Sequence, residues 1–333
     1  MFIRELTEWN EKYTLSKNAK MSFETDGREV AEEPDSVRTE FQRDRDRIIH
    51  SSSFRRLAHK TQVFAFPKTE HIRTRLTHTL EVAQIARTVA RAMRLNEDLT
   101  EAIALGHDLG HSPFGHNGEH ALNKISSTGF IHAAQSVRTA QFLEKDGKGL
   151  NLTAEVMDGI INHSVGMAKT LEGRVVKYCD KLAYINHDIE DAKSFGILTN
   201  SDLPKRAVVT LGYTKSERIT TLVNSLITYY YSRGEEDIGY TEEIDEVFSE
   251  LRDFMFKNVY MRDTSYNGAV KAEYVIFSLY GYYINTRGAS LDGIYKRICE
   301  TEGPERAITD YIAGMTDRYA VDKFNELFVP NAH

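Results

Sequence analysis

The sequence is poor in the features that mark disulfide-rich, secreted or membrane-spanning proteins. Its two cysteines, Cys179 and Cys299, cannot form a disulfide framework and are typical of a protein from a reducing compartment. No apolar run approaches the roughly 20 residues that a membrane-spanning helix needs. Residues 1–20 are mixed and charged, without the apolar core of a signal peptide. We therefore expect a cytoplasmic protein without a membrane partner.

Proline and strand-like alternation are also scarce, with six prolines in 333 residues, whereas helical periodicity is common. Residues 76–93 form the clearest predicted helix. Asn96 begins a second helix that leads into His107 and Asp108, and residues 174–192 form a third strong helix. The pattern predicts an all-α fold, and a chain of this length can bury a large core.

The formal net charge is −7, so no global basic field attracts nucleic acid or an acidic membrane surface. Any site for a polyanion must therefore be local. The basic run from Arg43 to Lys60 is either an amphipathic surface helix or a contact for a nucleotide or nucleic acid. We predict that Ser36 caps the helix through residues 38–56, which contains most of this run.

Histidine is concentrated in one part of the chain. Seven of the twelve histidines lie between His71 and His132, and the stretch 104–120 combines them with carboxylates and glycines. Neutral imidazole together with carboxylate is a ligand set for a divalent metal ion.

Candidate metal ligands lie on three predicted helices and comprise His78, His107, Asp108 and Asp180. Two imidazoles and two carboxylates suit one ion of Mg, Mn, Fe, Co, Ni or Zn, and such an ion acidifies its bound water. A lone histidine is more often a core residue satisfied by the backbone. A His-Asp pair beside glycine, with a second histidine upstream, favours a metal site, and we expect the four groups to converge on one ion.

A different zinc site is conceivable at His116-Asn117-Gly118-Glu119-His120, which matches the H-x-x-E-H pattern of inverted zinc proteases. That pattern requires the two histidines to lie one turn apart on a regular helix. Pro113 and Gly118 disfavour such a helix, so we do not favour the protease.

The helix over residues 174–192 has a polar stripe as well as an apolar one. Asp180, Tyr184 and Asp188 follow i, i+4, i+8 spacing, and Lys181 is adjacent. One carboxylate can hold a metal ion while the others face a substrate. Alternatively, the stripe is a solvated helix face, which taken alone is the commoner meaning of Asp-Lys on a helix.

Cationic groups could surround an anion beside the metal, namely Arg73, Arg75, Lys181, His111 and His132. Arginine offers bidentate contacts to phosphate oxygens.

Several segments occur in a specific order between Arg38 and about Asp191: Ile48-Ile49-His50-Ser51, Phe54-Arg55-Arg56-Leu57, Lys60-Thr61-Gln62-Val63-Phe64, Thr74-Arg75-Leu76-Thr77-His78, the His107-Asp108 block, Gln135-Ser136 and His187-Asp188-Ile189-Glu190-Asp191. In these segments the chain resembles the HD-domain dNTP triphosphohydrolases, the bacterial dGTPase-like family. The resemblance implies an HD-domain helical bundle with a helical C-terminal extension. We predict a polar N-terminal segment over 1–36, the HD core over 37–200, and a C-terminal region over 201–333 packed on it.

Enzymes of this family split a dNTP into deoxynucleoside and inorganic triphosphate. The resemblance implies the ligands His78, His107, Asp108 and Asp180 for one divalent metal ion. It implies that His116, supported by Glu119, acts in line on the phosphoester, with His111 as a further catalytic group. It implies that His111, Arg75, His132 and Lys181 contact the triphosphate, and that Gln62, Tyr184 and Asp188 read the sugar, where Tyr184 also excludes a ribose 2′-OH.

The chain departs from the family after His132, where Ala133 stands in place of a common asparagine, and the His111 position varies among relatives. The resemblance also implies a homo-oligomer, for which it suggests a hexamer, and a nucleotide or single-stranded DNA effector. Two other functions are compatible with the residues. One is an HD phosphohydrolase for nucleoside monophosphates or cyclic nucleotides. The other is a non-catalytic nucleotide or single-strand sensor, which would have no need of His116 and Glu119.

Overall fold

The fold is a set of packed α-helices, seen in a computed structural model that describes residues 2–62, 73–261 and 263–330, with only the backbone described over 263–267. Within these ranges no β-strand is formed, and isolated bridges join Arg28 to Thr153 and Thr61 to Thr74. The all-α prediction is confirmed. The α-helices of the described residues are α1 (Ile3–Thr14), α2 (Glu40–Ile49), α3 (Ser52–Arg56), α4 (Arg75–Ala92), α5 (Glu97–Gly106), α6 (Gly115–Ile125), α7 (His132–Arg138), α8 (Ala154–Asn162), α9 (Leu171–Ser194), α10 (Lys205–Leu211), α11 (Lys215–Ser232), α12 (Glu242–Met255), α13 (Asp263–Asn285), α14 (Gly293–Thr301), α15 (Pro304–Ala313) and α16 (Asp317–Phe328).

The chain forms two compact units that alternate along the sequence. The first comprises residues 1–49, 78–107 and 151–262, and the second comprises 50–77, 108–150 and 263–333. The division predicted at residues 36 and 200 stays a prediction.

In the first unit, α9 is the central helix and packs against α5, α8, α11 and α12. Its apolar face is fully buried and includes Val175, Cys179 and Leu182. Helices α5 and α8 approach each other closely at Gly159, where an added Cβ would lie 2.5 Å from Cδ1 of Ile103. This spacing depends on the absence of a side chain at Gly159.

Helices α4 and α5 confirm the predictions for residues 76–93 and for the Asn96 cap, whose side chain accepts a hydrogen bond from Leu99 N at 3.2 Å. The prediction that Ser36 caps one helix through residues 38–56 is wrong. Helix α2 begins at Glu40, and at its start Thr39 N donates to Gln42 Oε1 while Gln42 N donates to Thr39 Oγ1. A separate helix, α3, starts after Ser51, which caps it. The capping residues nearest to each helix therefore set its bounds.

In the second unit, α13 packs against α6, α15 and α16, and α14 packs against α15. A buried apolar cluster joins these helices and includes Phe114, Leu122, Ile276 and Ile308. Helices α15 and α16 are separate, because the chain turns after Ala313 and Thr316 caps α16 through Tyr319 N.

Among the described residues, none of the helices combines the length and apolar character that crossing a bilayer requires.

Candidate active site

In the first unit, two imidazoles and a carboxylate meet among α4, the end of α5 and α9. His78 Nε2 lies 3.0 Å from Asp180 Oδ1, and His107 Nε2 lies 3.7 Å from the same oxygen. Both rings are buried. His107 Nδ1 donates to Ala104 O at 2.6 Å, which fixes the tautomer that carries its lone pair on Nε2.

This cluster could hold a divalent metal ion, because donors bound to one ion at about 2.1 Å lie roughly 3 Å apart. Burial opposes ionisation of Asp180, but the His78 hydrogen bond and the charges of His107 and His163 hold the pKa of this carboxyl well below its usual range. Asp180 is therefore an anionic oxygen ligand beside two nitrogen ligands, a set that suits borderline divalent ions.

Two further histidines, to which sequence reasoning gave no role, border this cluster. The ring of His163 lies 5.0 Å from that of His107, and the ring of His187 lies 5.7 Å from that of His78. His187 Nε2 is 3.2 Å from Glu81 Oε2. The position of His187, seven residues after Asp180 on one helix, is a signal that could have indicated it. His163 follows α8 and carries no comparable local signal.

In the second unit, one carboxylate organises three histidines. Glu119 Oε2 lies 3.0 Å from His116 Nδ1, and Glu119 Oε1 lies 2.8 Å from both Nδ1 and the backbone N of His132. The ring of His111 stacks on that of His132 at 4.8 Å. The His116 side chain is 70% exposed, so its ring reaches solvent while Glu119 holds its other nitrogen.

Burial and charge shift the pKa values of these groups in different directions. Burial opposes ionisation of Glu119, but hydrogen bonds from His116 and His132 hold its pKa well below the usual range. Burial likewise opposes the imidazolium of His132, but the bond to Glu119 raises its pKa. Burial, Arg75 and His132 keep the pKa of His111 well below its usual value. His132 is therefore protonated more readily than an ordinary histidine, and His111 less readily.

The prediction that residues 116–120 avoid a regular helix is wrong, since α6 spans Gly115–Ile125. Gly118 does not break α6. Its missing side chain is needed there, because an added Cβ would collide with the carbonyl oxygen of Pro113. His120 is exposed, and the possible metal-binding groups of the described residues contain His116 and Glu119 with His111 and His132 but not His120. The pattern of an inverted zinc protease is therefore not assembled here.

Arg75 and Asp108 form a buried ion pair in the second unit, with Nη1 2.6 Å from Oδ2. Arg75 Nη2 also donates to Gln62 O at 3.3 Å. Within the described part of the chain, the buried Oε1 of Gln62 accepts no hydrogen bond. Asp108 directly follows His107 in sequence, and Arg75 precedes His78 by three residues on α4.

The remaining predicted site residues line α9 in the first unit. Burial, Lys177 and Arg252 lower the pKa of Lys181. Burial, followed by Asp180 and Asp188, raises the pKa of Tyr184 to about 12, so its hydroxyl stays protonated.

Asp188 accepts a 2.5 Å hydrogen bond from the hydroxyl of Tyr260, which ends a π-helical turn. Sequence reasoning missed Tyr260, which is 72 residues away from Asp188 and belongs to no motif.

Comparison with known proteins gives a consistent family. The HD domain family matches residues 75–185, and the phosphohydrolase-associated domain family matches residues 238–326. A protein from Caldanaerobacter subterraneus subsp. tengcongensis is 54% identical over 99% of this chain and 97% of its own length. A protein from Clostridium perfringens is 50% identical over 99% and 98%, and one from Clostridium tetani is 46% identical over 99% and 97%. Each is named a deoxyguanosinetriphosphate triphosphohydrolase-like protein.

Proposed function

Because the chain belongs to the deoxyguanosinetriphosphate triphosphohydrolase-like family of HD-domain proteins, we propose that it is a metal-dependent hydrolase that cleaves a dNTP to deoxynucleoside and inorganic triphosphate. The observation that carries the proposal is the pairing of His116 with Glu119. An exposed imidazole oriented by a largely buried carboxylate is the arrangement of a general acid or base. A protein that only binds nucleotides has no need of it.

The proposed ligands of one divalent ion are His78, His107 and Asp180, with Asp108 as the fourth. When bound, such an ion acts as a Lewis acid and lowers the pKa of coordinated water.

The roles of His116 and Glu119 follow from their hydrogen bond. Glu119 accepts a hydrogen bond from His116 Nδ1–H and so orients the ring with Nε2 outward. We assign His116 to proton transfer at the phosphoester, where the sugar oxygen leaves the α-phosphorus and must gain a proton.

The triphosphate of a dNTP carries about four negative charges, which a net-acidic protein accepts only where cations cluster. We assign Arg75, His132 and Lys181 to these phosphates, with His111 as a neutral donor. The bond to Glu119 stabilises the imidazolium of His132, and burial leaves the Arg75 guanidinium weakly screened.

The sugar is assigned to Gln62, Tyr184 and Asp188. The bulk of Tyr184 would exclude a ribose 2′-OH, and Asp188 and the amide of Gln62 offer polar atoms to the deoxyribose. A site that hydrogen-bonds one sugar and crowds another can discriminate strongly between them.

The proposal also includes a homo-oligomer, with a hexamer as the suggested form, a nucleotide or single-stranded DNA effector, and a cytoplasmic location. Light scattering at micromolar protein tests the assembly, and a mass of 38.0 kDa, the mass of one chain, would contradict it.

The deciding experiment incubates the purified protein with each of the four dNTPs and four NTPs, with Mg²⁺ and with Mn²⁺, and resolves the products by chromatography. We expect deoxynucleoside and triphosphate from at least one dNTP and little product from NTPs. Release of single phosphates, or turnover confined to monophosphates or cyclic nucleotides, would instead support the other HD phosphohydrolase activity. Tight nucleotide binding without any product would support the sensor.

Two variants separate metal binding from chemistry. His116→Ala should keep its metal and lose about 10²–10⁴-fold in turnover, because a positioned acid/base group is removed. Asp108→Ala should lose both metal and turnover, because an anionic ligand is removed. His120→Ala is the matched control, since His120 is exposed on the same helix outside the cluster. Loss of metal in His116→Ala, or full activity in either site variant, would contradict the assignments.

A further inference from the structure

The loop before α6, residues 111–116, has an unusual backbone that requires support from elsewhere. Phe114 has φ 62° and Gly115 has φ 60°, so two consecutive residues are left-handed directly before His116. For a residue with a side chain this conformation is sterically unfavourable, because the Cβ approaches the following carbonyl oxygen. Such strain persists only where the surroundings over-determine the local structure.

The support comes from Asp317, the first residue of α16. Its Oδ1 accepts a hydrogen bond from Phe114 N at 2.9 Å. Its Oδ2 accepts from both the backbone N and the hydroxyl of Thr61, at 3.0 Å and 2.6 Å. One carboxylate therefore fixes the backbone two residues before His116 and one residue before Gln62.

Lys60 forms a second link between the loop 111–116 and the end of α15. The fully buried Nζ of Lys60 donates to the carbonyl oxygens of His111 and Ala313, the latter at 2.8 Å. The turn between α15 and α16, residues 313–317, is thus bonded to the His111–His116 loop directly and through Lys60. The Phe114 side chain is buried in the same apolar cluster as these helices.

Helix α16 has its own cap and does not need the Asp317 carboxylate for one. Thr316 accepts from Tyr319 N, whereas the hydrogen bonds to the Asp317 side chain come from Thr61 and Phe114. The helix N-terminus does favour an anion at this position. The carboxylate is therefore directed to residues more than 200 positions earlier in the chain.

We infer that Asp317 is a positioning residue for His116, and that the turn 313–317 between α15 and α16 sets the geometry of the loop 111–116. The inference rests on the proposed function, in which His116 transfers a proton, and extends it to a region without assigned chemistry. Without Asp317, the left-handed residues before His116 lose a hydrogen-bond acceptor, and the ring is held less well relative to the phosphoester. A misplacement of about 1 Å can cost about 10²-fold in rate.

The kinetic test compares Asp317→Ala with the parent and with Asp322→Ala, an exposed aspartate on the same helix. We expect kcat per metal-loaded molecule to fall about 10- to 100-fold in Asp317→Ala with a smaller change in KM, and no change in Asp322→Ala. In the His116→Ala background, adding Asp317→Ala should lower kcat by less than about a further threefold, because the effects of residues that act through one group are not additive. Equal losses in both backgrounds would overturn the inference.

Hydrogen exchange tests the geometry independently of activity. Asp317→Ala should speed deuterium uptake in the peptide that covers 111–117 and leave the α9 peptide at the parental rate. Unchanged uptake at 111–117 would overturn the inference. If the parent releases no nucleoside from any dNTP, the proposed function fails, and the exchange result alone decides whether Asp317 holds the loop.

Thr61→Val provides a second test of the inference if Asp317→Ala folds poorly. It removes one of the three donors to Asp317 and retains the backbone amide, so we expect a fall in kcat of a few fold with a smaller loss of thermal stability than in Asp317→Ala. A variant with parental kcat and parental exchange at 111–117 would count against the inference.

Discussion

Glu172 should make the stability of the protein fall as the pH rises through neutrality. This carboxyl is fully buried at the second position of α9, where Oε1 accepts from the backbone N of Lys20 and of Asn96, each at 3.0 Å. Among the described residues Oε2 has no partner. Burial raises the pKa of Glu172 to about 7 against the ordinary 4.5, although both hydrogen bonds favour the charged form.

The sign of the effect follows from proton binding. Between about pH 4.5 and pH 7 the folded protein holds a proton on Glu172 that the unfolded chain has released, so the contribution is complete below pH 4.5 and is lost as pH rises through 7. With one pKa unit worth 1.36 kcal/mol, the free energy of unfolding should fall by about 2 kcal/mol between pH 5.5 and pH 8 from this group.

Denaturant unfolding of the parent and of Glu172→Gln at both pH values, at one protein concentration, measures this contribution. The glutamine keeps an oxygen for the two backbone donors and cannot ionise, so the variant should lose the Glu172 part of the pH dependence. Its absolute stability at pH 5.5 should be lower, because the amide N–H groups lack acceptors. Glu24→Gln, at an exposed residue, should behave as the parent. An identical fall with pH in parent and Glu172→Gln would refute the reasoning.

Two further predictions concern packing and substrate. Gly159→Ala should lower the free energy of unfolding by about 1–3 kcal/mol, because the new methyl group meets Ile103. Ile103→Val should recover part of this loss, which a double-mutant cycle by denaturant unfolding measures. Strictly additive effects would contradict the contact. Tyr260→Phe removes the hydrogen bond to Asp188 and should raise KM for the preferred dNTP about 10-fold while the bound metal is retained. An unchanged KM would show that Tyr260 has no role in binding the sugar.

The parts of the fold that could be predicted are those governed by local signals. Helices α4, α5 and α9 carry their apolar stripes and caps within one stretch of sequence, so periodicity located them. Helix α6 was missed because Gly118 was interpreted by its low helix propensity. Glycine is required at this position because the Pro113 carbonyl approaches it closely, and sequence alone does not reveal this contact.

The same distinction applies to the candidate site. The groups within residues 75–132 and on α9 could be proposed because His-Asp adjacency and helical spacing are visible in sequence. Their ligand and catalytic roles stay predictions. His163, Tyr260 and Asp317 reach their partners from elements distant in sequence, and neither composition nor spacing indicates which distant side chain meets a given motif.

The distance in sequence between Thr61 and Asp317, 256 residues, has a consequence for biosynthesis. At a translation rate of about 5–20 residues per second, roughly 10–40 seconds separate the emergence of Phe114 from that of Asp317, 203 residues later. Once Asp180 has also emerged, the nascent chain carries every proposed metal ligand and His116, but it lacks the carboxylate that holds the loop until Asp317 follows. On the proposed roles, α16 therefore supports the loop before His116 only after the other proposed site residues have been synthesised.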